Sequence, residues 1–156
     1  MKIEYRSIGV IRTPYGAPTG MPKNPSAGRG VRATVEVEPA FAAGLKDLEG
    51  FSHVVLLFHF HRSDGYDLEV MPRRGNRTPG VFASRSPRRP NGIGLSVVRL
   101  ERVEGNVLHV LDVDIVDGTP LLDIKPYLSD VAPDDDVRIG WLAEPATVPD
   151  EDVGDA

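Results

Sequence analysis

Seven arginines and no carboxylate fall between Met71 and Leu100: Arg73, Arg74, Arg77, Arg85, Arg88, Arg89 and Arg99. A guanidinium is a planar fork of donors that matches carboxylates and phosphates two bonds at a time. Such a cluster is either a solvated basic surface or a site for an anion. The neighbours within "SRSPRRPNGIG" (84–94) favour the second reading. Pro87 and Pro90 fix their own φ and push Ser86 and Arg89 towards extended backbone. Asn91-Gly92 permits a turn with positive φ, and Gly94 leaves room for another segment to approach. A stretch this stiff holds Arg85, Arg88, Arg89 and Asn91 in set directions at little further entropic cost. Its spacing matches neither the phosphate loop of nucleotide hydrolases nor the dinucleotide fingerprint.

Carboxylates cluster elsewhere. In "LDVDIVDGTPLLDIKPYL" (111–128), Asp112 and Asp114 fall on one face of a predicted strand, and Asp117-Gly118 opens a turn. Asp123, Lys125 and Tyr127 then alternate again. Paired carboxylates on a strand suit acid–base chemistry, a cation, or an exposed sheet edge. The residues alone leave these open. His53, His59 and His61 alternate along one face of "FSHVVLLFHFH" (51–61). No carboxylate motif of ligand spacing accompanies them, so no metal is expected. A histidine at the strand exit is better placed to bond a ligand or a backbone carbonyl. With no cysteine in the chain, disulfides and thiolate chemistry are excluded.

The elements that position these groups read mainly as strands. "YRSIGVIRT" (5–13) alternates and is closed by Pro14; "VRATVEVE" (31–38) alternates as well. Between them, Pro14 to Gly30 holds four Pro and four Gly, a long loop of the kind that carries function. "PAFAAGLKDLEG" (39–50) opens on Pro39 and ends on Gly50, predicting one short helix. "FSHVVLLFHFH" is apolar on nearly both faces and predicts a strand at the centre of the fold. "LSVVRLERVEGNVLHVLDVDIVDG" (95–118) predicts two strands joined by Gly105-Asn106, and "DVRIGWLA" (136–143) a last short strand. Many short strands with Gly/Pro turns favour a barrel or sandwich over a layered α/β fold.

At 156 residues the chain suits a single domain. It has no apolar run long enough to span a membrane and no signal-peptide core, so a cytoplasmic location is expected. The net charge of −5 hides a partition. Ser129–Ala156 holds nine acids and one base, Arg138, whereas residues 1–128 carry 17 bases against 14 acids. A domain over 1–141 is expected, followed by an acidic tail, 142–156, with the composition of a disordered segment.

Four segments together resemble one family: "IGVIRTPY" (8–15), "LEGFSHVVLLFHFH" (48–61), "GVFASRSPRRPNGIGLS" (80–96) and "DVDIVDGTPLLDIKPYL" (112–128). It is the β-barrel S-adenosylmethionine-dependent tRNA methyltransferases that act on N6-threonylcarbamoyladenosine at position 37. The resemblance runs in order over residues 3–128. It implies a small closed β-barrel, a homodimer, and S-adenosylmethionine bound near the dimer interface. Carried onto matching positions, it implies cofactor contacts at Pro22, Lys23 and Asn24, at His61 and Arg62, at Arg85, at Leu95, and at Leu111, Asp112, Val113 and Asp114. The chain departs from the family at Lys23-Asn24, where Arg-Gln is usual, and at Gly92, where a second Pro is usual.

The chemistry is compatible with that resemblance. Arg85 suits the cofactor's carboxylate, and Asp112 or Asp114 suits its amine, ribose or sulfonium. Arg88, Arg89 and Asn91 then suit the phosphates and bases of an anticodon loop, and Lys125 and Tyr127 are the candidates beside the acceptor. The acceptor nitrogen is a poor nucleophile that must lose a proton during attack. Other readings are a same-barrel methyltransferase for another nucleoside or small molecule, a non-catalytic cofactor or nucleotide sensor, and a plain RNA-binding barrel. The low aromatic content, 6%, disfavours the last.

Overall fold

The computed structural model describes residues 1–18, 29–71, 75–131 and 135–145. Six strands follow in chain order: β1 (Gly9–Arg12), β2 (Arg32–Val37), β3 (His53–His59), β4 (Ile93–Glu104), β5 (Val107–Leu111) and β6 (Thr119–Pro126). They close into a barrel in the order β1-β2-β5-β4-β3-β6, every neighbouring pair antiparallel. Closure leaves no unpaired edge. Alternation supplies the interior: Ile11, Val35, Val54, Leu56, Val98, Leu108, Val110 and Leu121 are buried, joined by Val113 and Ile115 from the loop after β5. A barrel this small is filled by its own side chains. A ligand must therefore sit at an end or on the outer wall.

Strand direction decides which loops meet. Successive strands run up and down, so loops 13–31, 60–92 and 112–118 leave one end. Segments 38–52 and 105–106 and the stretch before β1 belong to the other, where the chain also leaves β6, while residues 141–145 return to bond the 75–83 stretch of loop 60–92. The hairpin at Gly105-Asn106 forms as predicted, with Gly105 at φ +60 and the Asn106 amide bonded to Val37 O at 2.7 Å.

Gly94 lies opposite Phe58, and the ring occupies the space a side chain would need. A Cβ there would come within 2.3 Å of the Phe58 Cε2. Phe58 in turn packs edge-on against Phe60, with ring centres 5.5 Å apart.

Four local expectations are corrected. The helix over 39–50 is two 3₁₀ segments, Pro39–Leu45 and Leu48–Gly50, parted by Asp47 at φ 67. "DVRIGWLA" forms no strand: Gly140 at φ 57 breaks the extended chain and a 3₁₀ turn, Gly140–Ala143, follows. Trp141 Nε1 there donates to Ala83 O at 2.7 Å, and Glu144 pairs with Arg77 at 3.3 Å. Asp112 and Asp114 are not on a strand, because β5 stops at Leu111 where Asp112 turns to φ 66. Finally, β3 is buried on one face only. Val54, Leu56 and Phe58 point inward, while Val55 and Leu57 are half-buried on the outer wall.

Candidate functional site at the loop end of the barrel

The loop between β3 and β4 is braced against itself. Phe60 N–H donates to Gly92 O at 2.8 Å, and Asp67 N–H to Arg88 O at 3.3 Å. Arg88 Nε donates to Asp67 Oδ2 at 2.7 Å, and its guanidinium also reaches Asp64 O. That hydrogen bond lowers the Asp67 pKa and raises that of Arg88. Arg89 is half-buried, and its NH1 donates to Ser84 O and Ser86 O, both at 3.1 Å. The arginine cluster thus divides. Arg88 and Arg89 hold the loop's shape, Arg77 is tied to Glu144, and Arg73 and Arg74 lie outside the described residues. Arg85 and Arg62 are exposed, and among the described residues no carboxylate pairs with either. Asn91 is exposed too.

Carboxylates come to the same end from the loop after β5. The left-handed turn at Asp112 lets its Oδ1 accept from Gly30 N–H at 2.7 Å while its own N–H donates to Val31 O at 3.0 Å. Asp and Asn tolerate this backbone better than other non-glycine residues. Asp114 Oδ1 accepts from the buried Ser96 hydroxyl at 2.8 Å, beside Leu95 on β4. Val113 between them is fully buried in the core, and Leu111 is half-buried. Pro22, Lys23 and Asn24 lie outside the described residues.

His61 stands just past β3. Burial lowers its pKa below the ordinary 6.5, assisted by Arg62 and His59 and opposed by a hydrogen bond to the His59 backbone. The shift favours the neutral ring, which can accept a hydrogen bond. Among the described residues no three His, Cys, Asp or Glu side chains gather to hold a metal ion.

Lys125 and Tyr127 are elsewhere. Lys125 pairs with Asp123 at 3.0 Å on the outer wall, opposite Val55. That is four residues along β3 from His59, roughly 13 Å at strand rise. Tyr127 bonds to His53 O at the far end of the same strand. Within one chain the structure does not bring either to the loop end.

One cavity opens at the loop end, with a volume of about 190 Å³. Phe60, Ser63, Tyr66, Pro87, Arg89 and Pro90 line it. Ser63 Oγ is fully shielded and has no hydrogen-bond partner among the described residues. Ser63 and Tyr66 carry no local sequence signal, because their wall is made by a contact between segments more than twenty residues apart. A larger shallow groove, about 360 Å³, lies on the opposite wall beside the Arg32–Glu101 pair and includes none of the candidate residues.

Residues 10–132 match the family model described as tRNA-methyltransferase O N-terminal domain. A Pyrococcus abyssi protein named as a probable S-adenosyl-L-methionine-binding protein is 51% identical, the match covering 91% of this chain and 77% of that one. The Escherichia coli tRNA (adenine(37)-N6)-methyltransferase is 39% identical over 80% of this chain and 57% of its own length. A crystal structure of TrmO from Pseudomonas aeruginosa superposes with a TM-score of 0.74 at 40% identity, covering 90% of this chain and 62% of that one. The chain therefore spans about three quarters of the archaeal relative and little more than half of the bacterial enzyme.

Proposed function

The chain belongs to the tRNA-methyltransferase O family, and from that premise we propose that it methylates N6 of adenosine-37 in tRNA, in the threonylcarbamoylated form, using S-adenosylmethionine. The observation that carries this reading is the meeting of three loops at one barrel end. Arg85, an exposed guanidinium on loop 60–92 with no carboxylate partner among the described residues, and Asp112, a carboxylate held by the Gly30 N–H, both stand on loops that leave that end, which supports a shared cofactor site.

The donor set fits the cofactor. Asp112 spends Oδ1 on Gly30, leaving Oδ2 to accept from an amine or ribose hydroxyls. Arg85 is exposed, no carboxylate among the described residues pairs with it, and its guanidinium suits the cofactor's carboxylate. The lowered pKa of His61 favours its neutral ring, which would accept a hydrogen bond without adding a positive charge near a sulfonium. When bound, S-adenosylmethionine supplies a methyl group on a positively charged sulfur, which leaves as a neutral thioether. The protein's part is to hold the acceptor nitrogen in line and to give its proton a path out, and positioning of this kind supplies about 7–11 kcal/mol.

The outer wall supports a homodimer. Ile93, Leu95 and Val97 on β4 are 43%, 47% and 41% exposed, and they face Val55 and Leu57 across the β3–β4 ladder. An apolar face of this kind, rimmed by His53, Arg99, Asp123 and Lys125, is the surface a second copy covers. Lys125 and Tyr127 lie at the rim of that contact, which gives them a place in the site only through the assembly.

The deciding experiment is methyl transfer from labelled S-adenosylmethionine to tRNA, with modified and unmodified adenosine-37 compared and the products read as nucleosides. Label in the N6-methyl derivative of the modified nucleoside is expected. Cofactor binding without transfer to any tRNA overturns the reading in favour of a sensor or small-molecule enzyme.

A further inference from the structure

We infer that the cavity between the His59–Tyr66 segment and the Pro87–Gly92 turn is the seat of the acceptor's purine ring, with the Ser63 hydroxyl bonding the ring's edge. The inference rests on the RNA-methylating reading above and adds Phe60, Ser63 and Tyr66, which neither the sequence motifs nor the comparisons single out, to the Arg89 turn.

Size comes first. At about 190 Å³ the cavity is well below the roughly 300–1,000 Å³ that holds a whole drug-sized ligand. It takes one ring system and leaves ribose and phosphate outside. Its walls suit a flat ring. Phe60 and Tyr66 contribute aromatic rings, Pro87 and Pro90 rigid apolar ones, and the half-buried Arg89 a guanidinium that Ser84 O and Ser86 O hold in place. Stacking on such groups is how unpaired bases are held, and position 37 lies in a loop where the base need not be taken from a duplex.

Ser63 supplies the polar element. A shielded hydroxyl without a partner is costly, so its presence calls for a bond made by something other than the described chain. The hydroxyl both donates and accepts, which suits the ring nitrogens of a purine. The chain around it suits a base carried on a phosphodiester chain: Arg62, exposed, precedes the lining Ser63, and Asn91, exposed, lies between the lining Pro90 and Gly92. Arg88 lines none of the cavity. Through Asp67 and Asp64 O it clamps the two walls, which makes it a positioning residue.

Two adenines take part in this reaction, and the cofactor's is the rival occupant. None of the cavity's lining residues is among the positions matched to cofactor contacts. The test uses full-length protein with S-adenosylhomocysteine present and an anticodon stem-loop carrying 2-aminopurine at position 37. Its fluorescence is expected to quench on binding, as a base stacked on aromatic rings does. Tyr66→Ala, at an exposed position that leaves the fold intact, is expected to abolish the quench and weaken binding roughly five- to hundredfold. Ser63→Ala is expected to weaken it about tenfold. Because that hydroxyl has no partner among the described residues, Ser63→Ala is expected to leave thermal stability unchanged or raised, which a structural role would not do. Cofactor affinity, by calorimetry, stays at the wild-type value in both. Loss of cofactor affinity in these variants overturns the inference in favour of the cofactor's adenine. Wild-type binding and methyl transfer to tRNA in both variants overturns it while the enzyme reading stands. If the wild type transfers no methyl group to tRNA, the enzyme reading itself has failed, and the acceptor seat falls with it.

Discussion

Arg88 reaches across 21 residues to Asp67, Nε to Oδ2 at 2.7 Å, and so joins the two walls of the loop-end cavity. An arginine that reads as a phosphate ligand in the sequence is engaged in holding a shape. Its guanidinium is half exposed, so the pair contributes little to overall stability. Its effect is local.

Arg88→Ala and Asp67→Ala should therefore behave alike. Each is expected to raise the KM for tRNA several-fold with kcat/KM falling in step, and the double variant should be no worse than either single one. Additive losses would show that Arg88 touches the RNA directly.

The salt dependence of RNA binding separates bracing from contacting arginines. Removing Arg62 is expected to flatten the slope of log K against log salt by about 0.7 for single-stranded RNA. Arg88→Ala should leave that slope in place. Filter binding over a salt series measures both.

Cofactor affinity should depend on the charge of Asp112 and not on its backbone. Asn tolerates the left-handed turn at φ 66, so Asp112→Asn removes the carboxylate at small conformational cost. Calorimetry is expected to show S-adenosylmethionine weakened by about 1.5–3 kcal/mol, with the same loss in Arg85→Ala. An unchanged Kd in either removes that residue from the site.

His61 should titrate below the ordinary 6.5, as ring resonances followed by NMR will show. The unfolded chain binds that proton more readily than the folded one. The stability His61 contributes is then fully present above pH 6.5 and is lost as pH falls through the interval down to the depressed value. His61→Gln should flatten the stability profile in that window. A midpoint at or above 6.5 contradicts the burial that sets it.

Two substitutions probe the barrel. Gly94→Ala places a methyl group where the Phe58 ring sits and is expected to cost about 1–3 kcal/mol, read as a lower urea midpoint at constant m. Val97→Glu puts a charge in the centre of the exposed apolar face. Light scattering is expected to report a single 17.0 kDa chain for Val97→Glu and twice that mass for the wild type. A dimeric Val97→Glu would place the contact on another surface.

Local chemistry in the sequence determined the parts. Alternation along 31–38, 51–61 and 95–118 predicts the strands because burial of one face is a two-residue period that needs no partner to be read. The Pro-Arg-Arg-Pro-Asn-Gly stretch announces a stiff, cationic loop for the same reason, since proline and glycine act on their own backbone. Long ordered motifs place the chain in its family. Which parts meet was decided only by closure of the barrel. Six strands alternating in direction send loops 13–31, 60–92 and 112–118 to one end and leave Lys125 and Tyr127 towards the other. The same closure turns Asp112 out of its strand, bonds Asp114 to Ser96, and sets Asp67 against Arg88. Each of these is a contact between groups distant along the chain, and no spacing rule encodes it. Ser63 shows the limit most plainly: its isolation exists only once two loops have closed around it.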